Sequence, residues 1–155
     1  MKSTRELIDV FLAHKRLAIV GVSRNERDFT RVMFRAFAER GYEVVPVNPR
    51  VAEIDGRACY RHLQEINPPV SAALIMTTPS ETEAVVQDCV KAGIKLIWLY
   101  RAVGKGAVSE NAISFCAEHS IEVIPGYCPY MFFPDAGFGH RLHGMILKLT
   151  GRYPK

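Results

Sequence analysis

No two cysteines in this chain stand at a CxxC spacing, which removes the zinc-ribbon and thioredoxin readings. Cys59, Cys89, Cys116 and Cys128 are scattered, and Cys89 and Cys116 fall in segments that read as helices, where a reduced thiol acts as a small hydrophobe. Long apolar runs are also missing. Ile94–Tyr100, broken by Lys95, is far short of the ~20 residues a bilayer span needs. The first six residues, Met1-Lys2-Ser3-Thr4-Arg5-Glu6, lack the apolar core of a signal peptide, so a cytoplasmic location with no membrane partner is expected. Charge of one sign is not concentrated either. A formal +4 spread over 155 residues argues against a nucleic-acid partner and leaves an anionic small ligand open. Internal repeats and low-complexity stretches are absent, and with 48 % hydrophobic and 23 % charged residues the composition suits one globular domain over 1–155.

What is present is an alternation of apolar runs and amphipathic segments. Ser3-Thr4-Arg5-Glu6 is a capping box ahead of a short helix that ends near His14-Lys15. Leu17–Val22, Tyr42–Val47, Val70–Met76, Ile94–Tyr100 and Ile121–Ile124 read as strands, the first a continuous apolar run of the kind covered on both faces. Between them lie helical patterns. One covers Val32–Ala38 and is stopped by Gly41. Another opens on a second capping box, Ser80-Glu81-Thr82-Glu83, and ends at Gly93. A third is Ser109–His119. Residues 50–64 read as irregular with one short helix around His62–Ile66, and Gly139–Leu149 reads as a closing helix. The pattern predicts an α/β, Rossmann-like three-layer sandwich: a five-stranded parallel sheet in the order 3-2-1-4-5 with helices on both faces. A ligand is then expected beyond the carboxyl ends of the strands, at the switch point between strands 1 and 4.

The loops after the strands therefore carry the function. After strand 1, Gly21 permits a sharp turn, and Val22, Ser23, Arg24 and Thr30 lead into a helix whose free N–H groups favour an anion. The GxGxxG fingerprint of dinucleotide-binding domains is absent, since no later glycine follows Gly21 in this loop. After strand 2 stand Asn48, Pro49 and Arg50, with no acidic residue until Glu53. An NAD-binding domain places a carboxylate near here for the ribose hydroxyls; an amide and an arginine suit a nucleotide with an extra ribose phosphate, such as CoA or NADP. Thr77, Thr78 and Pro79 follow strand 3, and Thr77 and Thr78 serve as donors or as helix caps. Arg101 follows strand 4, ahead of Gly104-Lys105-Gly106, which is not a P-loop. At Gly21, replacement by Val is expected to abolish nucleotide binding while costing the fold about 1–3 kcal/mol.

Gly21-Val22-Ser23-Arg24, Pro46-Val47-Asn48-Pro49, Gly56-Arg57-Ala58-Cys59-Tyr60 and Gly126-Tyr127-Cys128-Pro129 together resemble the small stand-alone CoA-binding domain proteins, which are similar to the CoA-binding N-terminal domain of the succinyl-CoA synthetase α subunit. The likeness runs over roughly Lys15–Tyr130. It implies coenzyme A held across the loops after strands 1, 2 and 3, by Gly21, Val22, Ser23 and Arg24, by Asn48, Pro49 and Arg50, and by Thr77, Thr78 and Pro79. The chain departs from the family at Thr77-Thr78, where a basic or bulky residue is common, and in its longer, more aromatic tail. The synthetase subunit has a second domain with a phosphorylated histidine, for which 155 residues leave no room, so the resemblance implies binding of CoA or an acyl-CoA without catalysis. Alternatives from the residues are an NADP-binding oxidoreductase, with Arg50 on a 2′-phosphate, and a regulatory subunit of an acyl-CoA enzyme.

The segment Tyr127–Pro134 concentrates aromatics that would be costly to expose. It reads as a cover on the sheet edge or as a homodimer contact or pocket wall. His140 and His143, spaced for one helix face, lack a convincing third ligand, and no metal is expected. Cys128 as a nucleophile rests on a lone cysteine, and no Ser-His-Asp set is visible.

Overall fold

The structure, a computed structural model, describes residues 1–135, 148–151, 153 and 154. The expected closing helix, with His140 and His143, lies largely outside them. Helix α1 (Thr4–Ala13) opens on the expected capping box: Ser3 accepts from the Glu6 amide and Glu6 accepts from the Ser3 amide. Strand β1 (Arg16–Val20), helix α2 (Phe29–Glu39) and strand β2 (Glu43–Val47) follow. Two short strands, β3 (Glu53–Ile54) and β4 (Arg57–Ala58), form an antiparallel hairpin, with a 3-10 turn after it at Leu63–Glu65. Then come β5 (Ala72–Ile75), α3 (Pro79–Ala92), β6 (Leu96–Leu99), α4 (Glu110–Glu118), β7 (Glu122–Pro125) and a 3-10 turn at Pro129–Met131.

The five long strands form one parallel sheet, β2-β1-β5-β6-β7. This confirms the α/β sandwich and corrects the strand order. The third long strand does not lie outside strand 2; it pairs with β1 on the other side. The place expected for it is taken by the end of the hairpin segment. Tyr60 makes a parallel bridge to Val47, donates from its amide to the Pro46 carbonyl at 3.0 Å, and accepts from the Asn48 amide at 2.9 Å. With the outer edge of β2 so occupied, β5 crosses over, and the switch point falls between β1 and β5 rather than between strands 1 and 4.

Each central strand shows one set of side chains to each helical layer. Leu17, Ile19, Leu74, Leu96 and Trp98 join the cluster under α1 and α2, while Ala18, Val20, Ala73, Ile75, Ile97 and Leu99 join the one under α3 and α4. Trp98 is fully buried, edge-on to Phe11 at 5.3 Å between ring centroids, and its indole N–H donates to the Gly126 carbonyl at 2.7 Å. The aromatic tail covers this layer: Phe132 lies against Trp98 and Phe133 against Phe37. The second capping box also sits two residues earlier than expected. Thr78 caps α3, Glu81 completes the box, and Pro79 takes the first helical position, where its fixed φ and missing N–H cost nothing.

Replacing Trp98 by Phe keeps most of the buried ring but withdraws the donor to Gly126. The expected loss is about 1–3 kcal/mol of unfolding free energy, the penalty of a buried polar group left without a partner. Urea denaturation followed by far-UV circular dichroism measures it, and an unchanged midpoint would show that the carbonyl finds another donor.

Candidate functional site

Beyond the carboxyl ends of β1, β2 and β5 lies a cleft of about 760 Å³. Among the residues lining it are nine nominated from sequence: Gly21, Ser23, Thr30, Asn48, Pro49, Arg50, Thr77, Thr78 and Pro79. Three others do not line it. Val22 has a fully buried side chain. Arg24 is exposed on the loop. Arg101 is exposed beside Gly126, its backbone amide donating to the Tyr127 carbonyl at 3.1 Å.

The first loop is built from side chain to backbone bonds. The Thr30 hydroxyl accepts from the Ser23 amide at 2.8 Å and donates to Asp28 at 2.6 Å. The Ser23 hydroxyl accepts from the Asn25 amide at 3.0 Å. Asp28 caps α2 by accepting from the Thr30 amide. The Thr30 hydroxyl is thus committed to the loop and not available as a phosphate donor. Asn48 ties the first two loops together: its side-chain amide donates to the Val22 carbonyl, and its oxygen accepts from the Arg50 amide, both at 2.8 Å.

Gly21 has φ +93°, and a Cβ there would stand 2.8 Å from the Met76 carbonyl oxygen and 3.2 Å from Thr77 Cγ2. The first thing such an atom meets is the backbone leaving β5, not a ligand. The glycine is needed for the close approach of two strand ends at the switch point, so the expectation that Gly21→Val spares the fold gives way to a structural role.

The charges divide unevenly. Three carboxylates face the cleft, and all have partners. Asp28 caps α2, and Glu81 accepts from the Thr78 amide and hydroxyl in the capping box of α3. Asp88 accepts from His62 Nδ1 at 2.8 Å and lies 3.8 Å from Lys91. Bonds donated by the Thr78 amide and hydroxyl hold the Glu81 carboxyl below the usual carboxylate range, with a smaller contribution from Arg50. Arg50 and Arg61 line the same cleft, and their guanidinium groups have no hydrogen-bond partner among the described residues. The positive charge is the unspent one.

Several lining residues were missed from sequence. Arg61 and His62 stand in the segment read as irregular. Phe29 is the first residue of α2, and Tyr100 the first after β6. Phe29 and Tyr100 rings sit 5.7 Å apart and give the cleft an aromatic wall, with Tyr130 behind at 6.4 Å from Phe29. Their position just past strand or helix boundaries was the available signal. Burial pushes the Tyr100 hydroxyl and the Cys128 thiol beside it above their ordinary values. That disfavours the thiolate a Cys128 nucleophile needs. Among the described residues no group of three His, Cys, Asp or Glu side chains is placed to hold a metal, and no helix is long and apolar enough to cross a membrane.

The CoA binding domain model matches residues 15–134. The chain belongs to the CoA-binding domain family. It is similar to the uncharacterized protein YneT of Bacillus subtilis, at 25 % identity over 81 % of this chain and 90 % of that one. It is also similar to an ADP-forming acetate–CoA ligase of Methanocaldococcus jannaschii, at 26 % identity over 74 % of this chain but only 17 % of the ligase. Among solved structures, a hypothetical protein from Pyrococcus horikoshii superposes with a TM-score of 0.74 at 23 % identity, covering 83 % of this chain and 87 % of that one. A dinucleotide-forming acetyl-coenzyme A synthetase of Ca. Korarchaeum cryptofilum does so at 0.63 and 22 % identity, covering 76 % of this chain and 27 % of the synthetase. These two likenesses concern the fold.

Within this CoA-binding domain, Gly21→Ala should cost more than Gly41→Ala. Both positions have positive φ, but a Cβ at Gly41 meets nothing within 4 Å. Gly41→Ala carries only the about 1–2 kcal/mol of a left-handed residue, and Gly21→Ala adds the collision with Met76. Equal losses in urea denaturation would show that the two strand ends can part at no cost.

Proposed function

We propose that this domain binds coenzyme A, free or acylated, in the cleft at the carboxyl ends of β1, β2 and β5. The observation that carries the reading is the chemistry at the end of β2. An amide and an arginine, Asn48 and Arg50, stand where a carboxylate would bond the ribose hydroxyls of NAD, and Arg61 joins Arg50 on the cleft wall, neither guanidinium hydrogen-bonded among the described residues. Two unspent guanidinium groups suit a nucleotide with a phosphate on its ribose as well as a diphosphate. Membership of the family supports the same ligand, and so does the likeness to a ligase that acts on CoA. The aromatic wall of Phe29 and Tyr100 offers apolar surface for the rest of a long, flexible ligand. The proposed role is binding, with no chemical step assigned to the chain.

Thermal shift with CoA, dephospho-CoA, NAD and NADP tests the reading. CoA should stabilise most, dephospho-CoA less, and NAD not at all. Stabilisation by NAD or NADP without CoA would contradict it. In calorimetric titration, Arg50→Ala should weaken CoA binding by about 1.5–3 kcal/mol, the loss of a charge-assisted hydrogen bond. Arg24→Ala, outside the cleft lining, should weaken it less.

A further inference from the structure

Arg31 is a buried cation, with its side chain 6 % exposed. It projects from α2 into the place where three segments meet. Nη1 donates to the carbonyls of Ser23 at 3.2 Å and Arg24 at 3.4 Å, and Nη2 to the carboxylate of Asp55; Nε has no partner among the described residues. Arg35, one turn along α2, donates to the same carboxylate at 2.9 Å and to the Glu26 carbonyl at 3.3 Å. Asp55 forms the turn of the β3–β4 hairpin with Gly56, at φ +47° and +75°, the conformation such a two-residue turn requires. Bonds from Arg35 first, then Arg31, hold the Asp55 carboxyl below the usual range. A buried guanidinium is destabilising unless a charge and acceptors meet it, so the loop carbonyls and the hairpin carboxylate are held to Arg31 as a group.

The orientation of the loop follows from the peptide plane. In a trans peptide the carbonyl of one residue and the N–H of the next point in opposite directions. With the Ser23 carbonyl turned to Arg31, the Arg24 N–H faces away from it, and that amide has no acceptor among the described residues. The Arg24 carbonyl, also turned to Arg31, sends the Asn25 N–H the same way, onto the hydroxyl of Ser23, which lines the cleft.

We infer that Arg31, locked by Asp55, is the positioning residue that sets the first loop, and with it Ser23 on the cleft wall, for the phosphates of a bound CoA. The β3–β4 hairpin thereby belongs to the ligand site although none of its residues lines the cleft. The inference rests on the reading of the cleft as a CoA site.

Calorimetric titration of CoA into the parent, Asp55→Asn, Asp55→Glu, Arg31→Lys and Arg35→Ala proteins tests it, with far-UV circular dichroism on each sample. Asp55→Asn and Arg31→Lys should bind roughly tenfold more weakly, as for one lost charge-assisted contact. Asp55→Glu should restore most of the affinity. Arg35→Ala keeps the Arg31–Asp55 pair and should lose less than threefold. Parental affinity in folded Asp55→Asn or Arg31→Lys overturns the inference while leaving the CoA site standing. So does an Arg35→Ala loss as large as that of Asp55→Asn, or failure of both Asp55→Asn and Arg31→Lys to fold, since either marks a purely structural role. No binding by the parent overturns the CoA reading and this inference with it.

Discussion

The close approach of β1 and β5 at their carboxyl ends shapes everything around the cleft. The Met76 amide donates to the Val20 carbonyl, and one residue on the chain must turn where only a missing side chain lets Gly21 pass the Met76 carbonyl. From that point the two connections leave toward opposite faces of the sheet, α2 to one layer and α3 to the other. A crevice opens where they part, as in other open parallel sheets. Along β2 the Asn48 side chain fixes the second loop to the first, and the Tyr60 bridge occupies the outer edge of the strand.

The electrostatics of the cleft depend on where its acids are committed. Asp28 and the Thr78–Glu81 box satisfy helix N-termini that would otherwise face the cleft as open donors, and Asp88 is paired with His62. A helix start capped by its own carboxylate is a poorer anion site than an open one. The groups left for the proposed phosphate recognition are Arg50, Arg61 and the first loop, rather than the helix N-terminus expected from the sequence.

Local patterns carried the strands and helices, because apolar runs and the Ser3 box are written within a few neighbouring residues. The strand order was not local. It turned on Tyr60 taking the outer edge of β2, a single bridge preceded by strands of two residues, too short to show a period. The Asp55-Gly56 pair was a legible hairpin signal in a stretch read as irregular. Nine nominated residues meet in the cleft because the rule that ligands bind beyond strand ends holds for either strand order. The rule names loops rather than directions, so it could not separate Arg50 from the outward Arg24 and Arg101. Arg31 and Asp55 stand 24 residues apart, and only the folded chain joins them.

Amide chemical-shift mapping by NMR on a CoA titration tests most directly that the switch-point cleft is the CoA site. Large shifts clustered at Gly21–Arg24, Asn48, Arg50, Thr77 and Thr78 are expected. Shifts confined instead to a groove along the outer edge of β2, lined by Arg16, Tyr42, Glu43 and Arg57, would contradict it.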